Sequence, residues 1–150
     1  MSEVAVLDHD AVLGAVAPAA AIEHVREAFV AHHAGAWTMP AKVYLASPPH
    51  GDFRAMPALG AGFAMLKWIS SFPGNPAGHG LPTVMGVVCL SDAATSAPLL
   101  LLDAGAVTAL RTGAVAAVAA QALAKPGPWT AGIVGCGSLT PHRRAPTLGA

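Results

Sequence analysis

The chain has 150 residues, a formal net charge of zero and only 11% charged residues, against about 25% in a typical soluble domain; neither a broad basic face for nucleic acid nor an acidic tail is present. Hydrophobic residues make up 54%. That is more apolar surface than a chain of this size buries alone, so a second domain or a partner subunit is expected to cover the excess. The most apolar stretch, residues 81–124, is interrupted by Pro82, Asp92, Pro98, Asp103 and Arg111. It lacks the roughly 20 uninterrupted apolar residues of a membrane span, and no membrane association is expected.

The N-terminus has neither the basic region nor the apolar core of a signal peptide. Asp8 or Asp10 can cap a short first helix, with Pro18 ending that segment. A second helix is clearer. Ile22, Val25 and Phe29 recur at helical spacing, His32 and His33 fall in the last turn, and Gly35 suits the C-terminal cap. From Trp37 to Leu102 the pattern changes to short apolar segments broken by Pro and Gly. Residues 42–45, 63–69, 83–90 and 99–102 read as strands, and the polar stretch 91–96 as a hairpin loop. An alanine-rich helix is expected to begin near Thr108 to Arg111 and to run to Lys125, where Pro126 and Gly127 stop it. Residues 129–134 read as a buried strand running into Gly135-Cys136-Gly137. The expected fold is α+β over residues 1–126, with N-terminal helices and a mixed, largely antiparallel sheet. The start of an α/β domain follows over 127–150. Within it, Pro141 and Pro146 leave 138–150 irregular.

A strand meeting Gly135-Cys136-Gly137 suits a dinucleotide fold, in which the first glycine makes the tight turn and the second lets the backbone approach a pyrophosphate. The same two glycines also suit an ordinary strand-ending turn. Thr140 stands where the full fingerprint has a third small residue.

Lys67 lies between Leu66 and Trp68 in an apolar strand. It either reaches solvent from an edge strand, which the pattern alone favours, or is held in a cleft with a depressed pKa. Arg54 and Arg111 are cations in a charge-poor sequence and suit a carboxylate or phosphate. A helix N-terminus near Arg111 and Thr112 would add backbone donors. The plainer reading pairs the two arginines with Asp52 or Asp103 at the surface. The histidines form no metal-ligand pattern. Cys89 and Cys136 have no zinc or disulfide spacing and read as buried or incidental thiols in a reducing, cytoplasmic setting.

Six segments occur in order: Met39 to Leu45, Gly51 to Pro57, Lys67-Trp68, Gly80 to Gly86, Leu110 to Ala114 and Gly135-Cys136-Gly137. Together they resemble the ornithine cyclodeaminase / mu-crystallin family, which includes archaeal-type alanine dehydrogenases and ketimine reductases, over roughly residues 10–137. The resemblance implies a substrate-binding and dimerisation domain whose sheet joins its counterpart in a homodimer. The first strand of a Rossmann domain for NAD(H) or NADP(H) would follow. It implies that Arg54, Lys67 and Arg111 face a substrate carboxylate, with Lys67 catalytic. It places Thr83, Arg111, Thr112, Gly135 and Gly137 at the cofactor. The implied chemistry is oxidative deamination of a small amino acid, ornithine to proline plus ammonia or alanine to pyruvate, or the reverse imine reduction. After Gly137 the sequence departs from the family, with Ser138-Leu139-Thr140-Pro141 where a small residue and a helix belong. A truncated Rossmann domain, 138–150 out of frame and a chain inactive by itself are the corresponding expectations. The alternative is a non-catalytic remnant or small-molecule-binding protein on the same scaffold.

Overall fold

The computed structural model describes residues 3–128 together with 130, 132 and 134. The expected α+β fold with a largely antiparallel sheet is what it shows over the described residues. In chain order the elements are β1 (Ala5–Leu7), α1 (His9–Ala15), α2 (Pro18–His33), β2 (Val43–Ser47), β3 (Gly51–Gly60), β4 (Phe63–Ser71), α3 (Asn75–His79), β5 (Val84–Asp92), β6 (Pro98–Asp103) and α4 (Ala104–Leu123). The six strands form one sheet in the order β1-β6-β5-β4-β3-β2. All neighbours are antiparallel except β1 and β6. Gly135 and Gly137, and half of the residues of the strand expected at 129–134, lie outside the described residues.

The helices follow local capping chemistry. The Asp8 side chain accepts from the Ala11 amide at 2.9 Å and starts α1. Pro18 does not end a segment; it opens α2, where its missing N–H costs nothing. At the other end of α2, Gly35 (φ 77°) lies one position past the C-cap Ala34. The Gly35 and Ala36 amides donate to the His32 and Ala31 carbonyls, a Schellman ending. The buried face of α2 is Ala21 and Ile22, with Val25 packed beside them, whereas Phe29 is 52% exposed.

α4 begins four to seven residues earlier than expected. The Asp103 side chain accepts from the Ala106 amide at 2.6 Å and fixes the start. Its buried positions are all small, namely Ala104, Ala106, Ala109, Gly113 and Ala114, which lets the helix approach its neighbours closely. Ala114, Ala117 and Val118 pack against Ala21, Ile22 and Val25 of α2, and Arg26 Nη2 donates to Gln121 Oε1. By length and composition alone α4 could cross a membrane. Here it packs between α2 and the sheet and carries Arg111 near its middle.

Two strands were absent from the sequence reading. β1 is only three residues long. β3 is long but contains Pro57, a residue usually confined to edges. β2 pairs with β3 only as far as Val43 opposite Ala55. The Leu59 amide points to that same side, where it donates to the Thr38 carbonyl. Pro57 shares Leu59's parity, so its missing N–H faces the space between β2 and Thr38, where no ladder partner is lost. Ala61 (φ 51°) and Gly62 (φ 82°) form the two-residue turn from β3 to β4.

Opposed residues of an antiparallel pair share a face. Val43, Leu45, Leu59, Leu66, Trp68, Val87 and Leu101 lie on the sheet face away from Lys67, and all are exposed. Phe53 and Trp68 stack there with ring centroids 5.5 Å apart. Gly86 of β5 faces β4, and a Cβ there would collide with the Trp68 carbonyl oxygen. Gly86→Ala is expected to cost about 1–3 kcal/mol by forcing the two strands apart. Urea unfolding measures it, and an unchanged midpoint would remove this close approach from the account.

Candidate functional site

Lys67 is not on an edge. β4 is paired on both sides, and Lys67 stands opposite Met56 of β3 and Val88 of β5. α4 lies over it. The residue is 7% exposed, and Nζ donates to Thr108 Oγ1 at 3.4 Å. Burial is the main cause that lowers its pKa, with Arg111 and then Lys42 repelling a proton as well.

Arg54 shares this face. Tyr44, Arg54 and Ile69 form one row across β2, β3 and β4, and Met56 and Lys67 form the next. Arg54 is paired with Asp52, as the plainer reading of the sequence had it. Nε donates to Oδ1 at 2.6 Å and Nη2 to Oδ2 at 3.0 Å. This pairing lowers the Asp52 pKa and raises that of Arg54. The Arg54 Cζ lies 5.3 Å from the centre of the Tyr44 ring, and Lys42 Nζ lies 5.7 Å from it. Lys42 and Tyr44 were read only as strand residues. Their period-two spacing puts them on one side, but only the hairpin register brings that side to Arg54.

Arg111 does not pair with Asp103, whose carboxylate is bonded to the Ala106 amide and to His9 Nδ1. Nor do Arg111 and Thr112 stand at a helix N-terminus. α4 starts at Ala104, so their backbone amides lie inside the helix and offer no free donors. What they offer is side chains. Thr108, Arg111 and Thr112 fall at i, i+3 and i+4 and form one polar stripe on an apolar helix. Thr112 Oγ1 is buried without a hydrogen-bond partner, a state that costs about 1–3 kcal/mol until a partner arrives.

Thr83 lies elsewhere. It precedes β5, and its carbonyl accepts from the Phe72 amide at 2.8 Å. Val88 is five positions further on, roughly 16 Å along the strand. The fold thus gathers Lys67, Arg111 and Lys42, keeps Arg54 on the same face and leaves Thr83 apart. An open concavity of about 570 Å³, lined by Pro49, His50, Phe72, Asn75 and His79, also lies beyond the far end of β4. Among the described residues no group of three or more His, Cys, Asp or Glu side chains is placed to hold a metal ion. Cys89 is a free, partly exposed thiol.

The Lys67 environment has a measurable sign. Its folded pKa is lowered from 10.5, so the unfolded chain holds a proton that the folded chain resists. Stability therefore rises with pH from the folded value up to about 10.5, the ordinary lysine value. Lys67→Met keeps the unbranched stem. It is expected to be more stable than the wild type at neutral pH, with a gap that narrows as the pH climbs to that limit. Urea unfolding across the alkaline range tests this, and a gap independent of pH would show that the amine is not buried as described.

Comparison with known proteins places this geometry. Residues 3–143 match the sequence pattern of the ornithine cyclodeaminase/mu-crystallin family. An alanine dehydrogenase of Archaeoglobus fulgidus is 43% identical over 136 residues, which are 91% of this chain and 42% of that protein. The solved structure of an archaeal alanine dehydrogenase dimer with bound NAD superposes with a TM-score of 0.88 at 41% identity, covering 93% of this chain and 43% of that one. The Thermococcus litoralis Δ1-pyrroline-2-carboxylate reductase in complex with NADH and L-proline gives 0.76 at 30% identity, over 81% and 38%. The chain thus spans about two-fifths of the relatives it matches, and over that span it belongs to the ornithine cyclodeaminase/mu-crystallin family.

Proposed function

We propose that this chain supplies the carboxylate-binding and proton-transferring side of a site for NAD(P)-dependent oxidation of a small amino acid, or for reduction of the corresponding imine. The observation that carries this reading is the buried amine of Lys67, with Arg111 close by and Arg54 on the same sheet face. Arg54 and Lys42 would hold the substrate carboxylate, a guanidinium giving two parallel hydrogen bonds and an ammonium a point charge. Lys67, biased towards its neutral form, would take a proton from the substrate ammonium or from water, and return it in the reverse direction. α4 keeps water from that amine. The unpartnered Thr112 hydroxyl and the Arg111 side chain fit a phosphate-bearing cofactor, which they would hold by hydrogen bond and charge. A bound nicotinamide would accept or supply the hydride at the nitrogen-bearing carbon. Thr83, Gly135 and Gly137 belong to the cofactor side only by family resemblance. The free thiol of Cys89 suits a reducing, cytoplasmic setting.

Pyruvate serves as the test ligand. Arg54→Met and Lys42→Met are each expected to weaken its binding by about tenfold or more, read by NMR titration. With ammonium and NADH or NADPH present, Lys67→Met is expected to lower any turnover of the wild type by about 10²–10⁴-fold. Pyruvate binding indifferent to both substitutions would overturn the reading.

We propose further that a second copy of the chain covers the exposed apolar face, in keeping with the dimer of the archaeal relative. Leu66, 41% exposed near the middle of that face, is the position to charge. Light scattering is expected to show a dimer for the wild type and a monomer for Leu66→Glu. A monomeric wild type would refute this arrangement.

A further inference from the structure

We infer that Asp52 is a positioning residue. By occupying one edge of the Arg54 guanidinium, it fixes which edge remains to receive a substrate carboxylate. The inference rests on the reading above, in which Arg54 meets that carboxylate, and adds to it how Arg54 is aimed.

A guanidinium has two edges that can each grip a carboxylate through two parallel hydrogen bonds: a side edge made of Nε and Nη2, and an end edge made of Nη1 and Nη2. Asp52 takes the side edge with both oxygens, at 2.6 and 3.0 Å. Among the described residues nothing accepts from Nη1, so the end edge is open. The two residues alternate on one face of β3, and their side chains are 32% and 29% exposed for Arg54 and Asp52. Solvent therefore competes only in part for this pair. The Tyr44 ring, 5.3 Å from Cζ and opposite Arg54 in register, adds a second constraint. A flexible side chain is thus held by a two-point bond and an aromatic neighbour.

Register gives the clamp a direction. Asp52, Arg54 and Met56 stand opposite Ser71, Ile69 and Lys67. Asp52 is therefore on the side of Arg54 away from Lys67 along β3, and the edge it leaves open is the one not turned away from the Lys67 amine. Were Asp52 absent, the side edge would be open as well, and a carboxylate that took it would turn away from the Lys67 amine.

A carboxylate beside an arginine could instead act only as a counter-charge, and the two roles predict opposite signs. Removing a mere counter-charge leaves Arg54 more attractive to anions, so Asp52→Asn would bind pyruvate more tightly. Removing a positioning group costs orientation, and Asp52→Asn is expected to bind pyruvate about tenfold more weakly. The experiment is a sodium pyruvate titration of the 15N-labelled chain, following the Nε and Nη protons of Arg54 and assigning them with Arg54→Lys. In the wild type, pyruvate is expected to shift the Nη1 protons and leave the Nε proton in place. In Asp52→Asn the Nε proton is expected to move as well. Equal or tighter binding by Asp52→Asn overturns the inference while leaving Arg54 as a carboxylate site, as does a wild-type Nε proton that shifts with pyruvate. Pyruvate that moves no Arg54 proton in the wild type removes the site and the inference together. The wild-type pattern is decisive even if the variant does not fold.

Discussion

The constraint on which the arrangement turns is that one amine is kept from water in the interior of a sheet. An ammonium on β4 would cost several kcal/mol if fully desolvated without a counter-charge. The charges acting on Lys67 are positive, from Arg111 and Lys42, and its amine donates to a neutral hydroxyl. The neighbours therefore favour the uncharged amine. That result requires β4 to be paired on both sides and α4 to lie close above it. α4 lies close because its packing positions are alanines and a glycine, and its start is set by Asp103.

The two faces of the sheet divide the work. One carries Lys67, Arg54, Tyr44 and Asp52, and the other carries exposed valines, leucines and Trp68. Strand alternation alone accomplishes this separation, since each strand sends successive residues to opposite sides. A one-residue slip of any strand would exchange the faces. The register that aligns Arg54 with Lys67 therefore also gathers the apolar side.

Much of the fold was legible in the sequence because its signals are local. Apolar runs marked β2, β4, β5 and β6, and helical spacing marked α2. β3 was hidden by Pro57, which is tolerated only because β2 has already ended, a fact about a neighbouring strand. The start of α4 was placed too late because the small apolar residues Ala104 to Val107 carry little amphipathic contrast, while the Asp103 cap was decisive. For the site, Lys67, Arg54 and Arg111 were singled out by being cations in a charge-poor chain. Their surroundings were not readable. Lys67 looked like an edge residue because its burial comes from β3, β5 and α4, all distant in sequence. The roles of Lys42, Tyr44 and Thr108 depend on cross-strand and helix–sheet contacts that leave no local pattern.

The smallness of the buried α4 residues has one more implication. Thr108, Arg111 and Thr112 are rigidly attached to one helix, so they move together when its spacing from the sheet changes. Ala106 and Ala109 are buried, so a larger side chain at either would have to shift that helix. The chemistry of the amine is then sensitive to side-chain volume at positions that carry no functional group at all. Lineages that drift at these alanines could retune the site without altering any residue that touches a ligand.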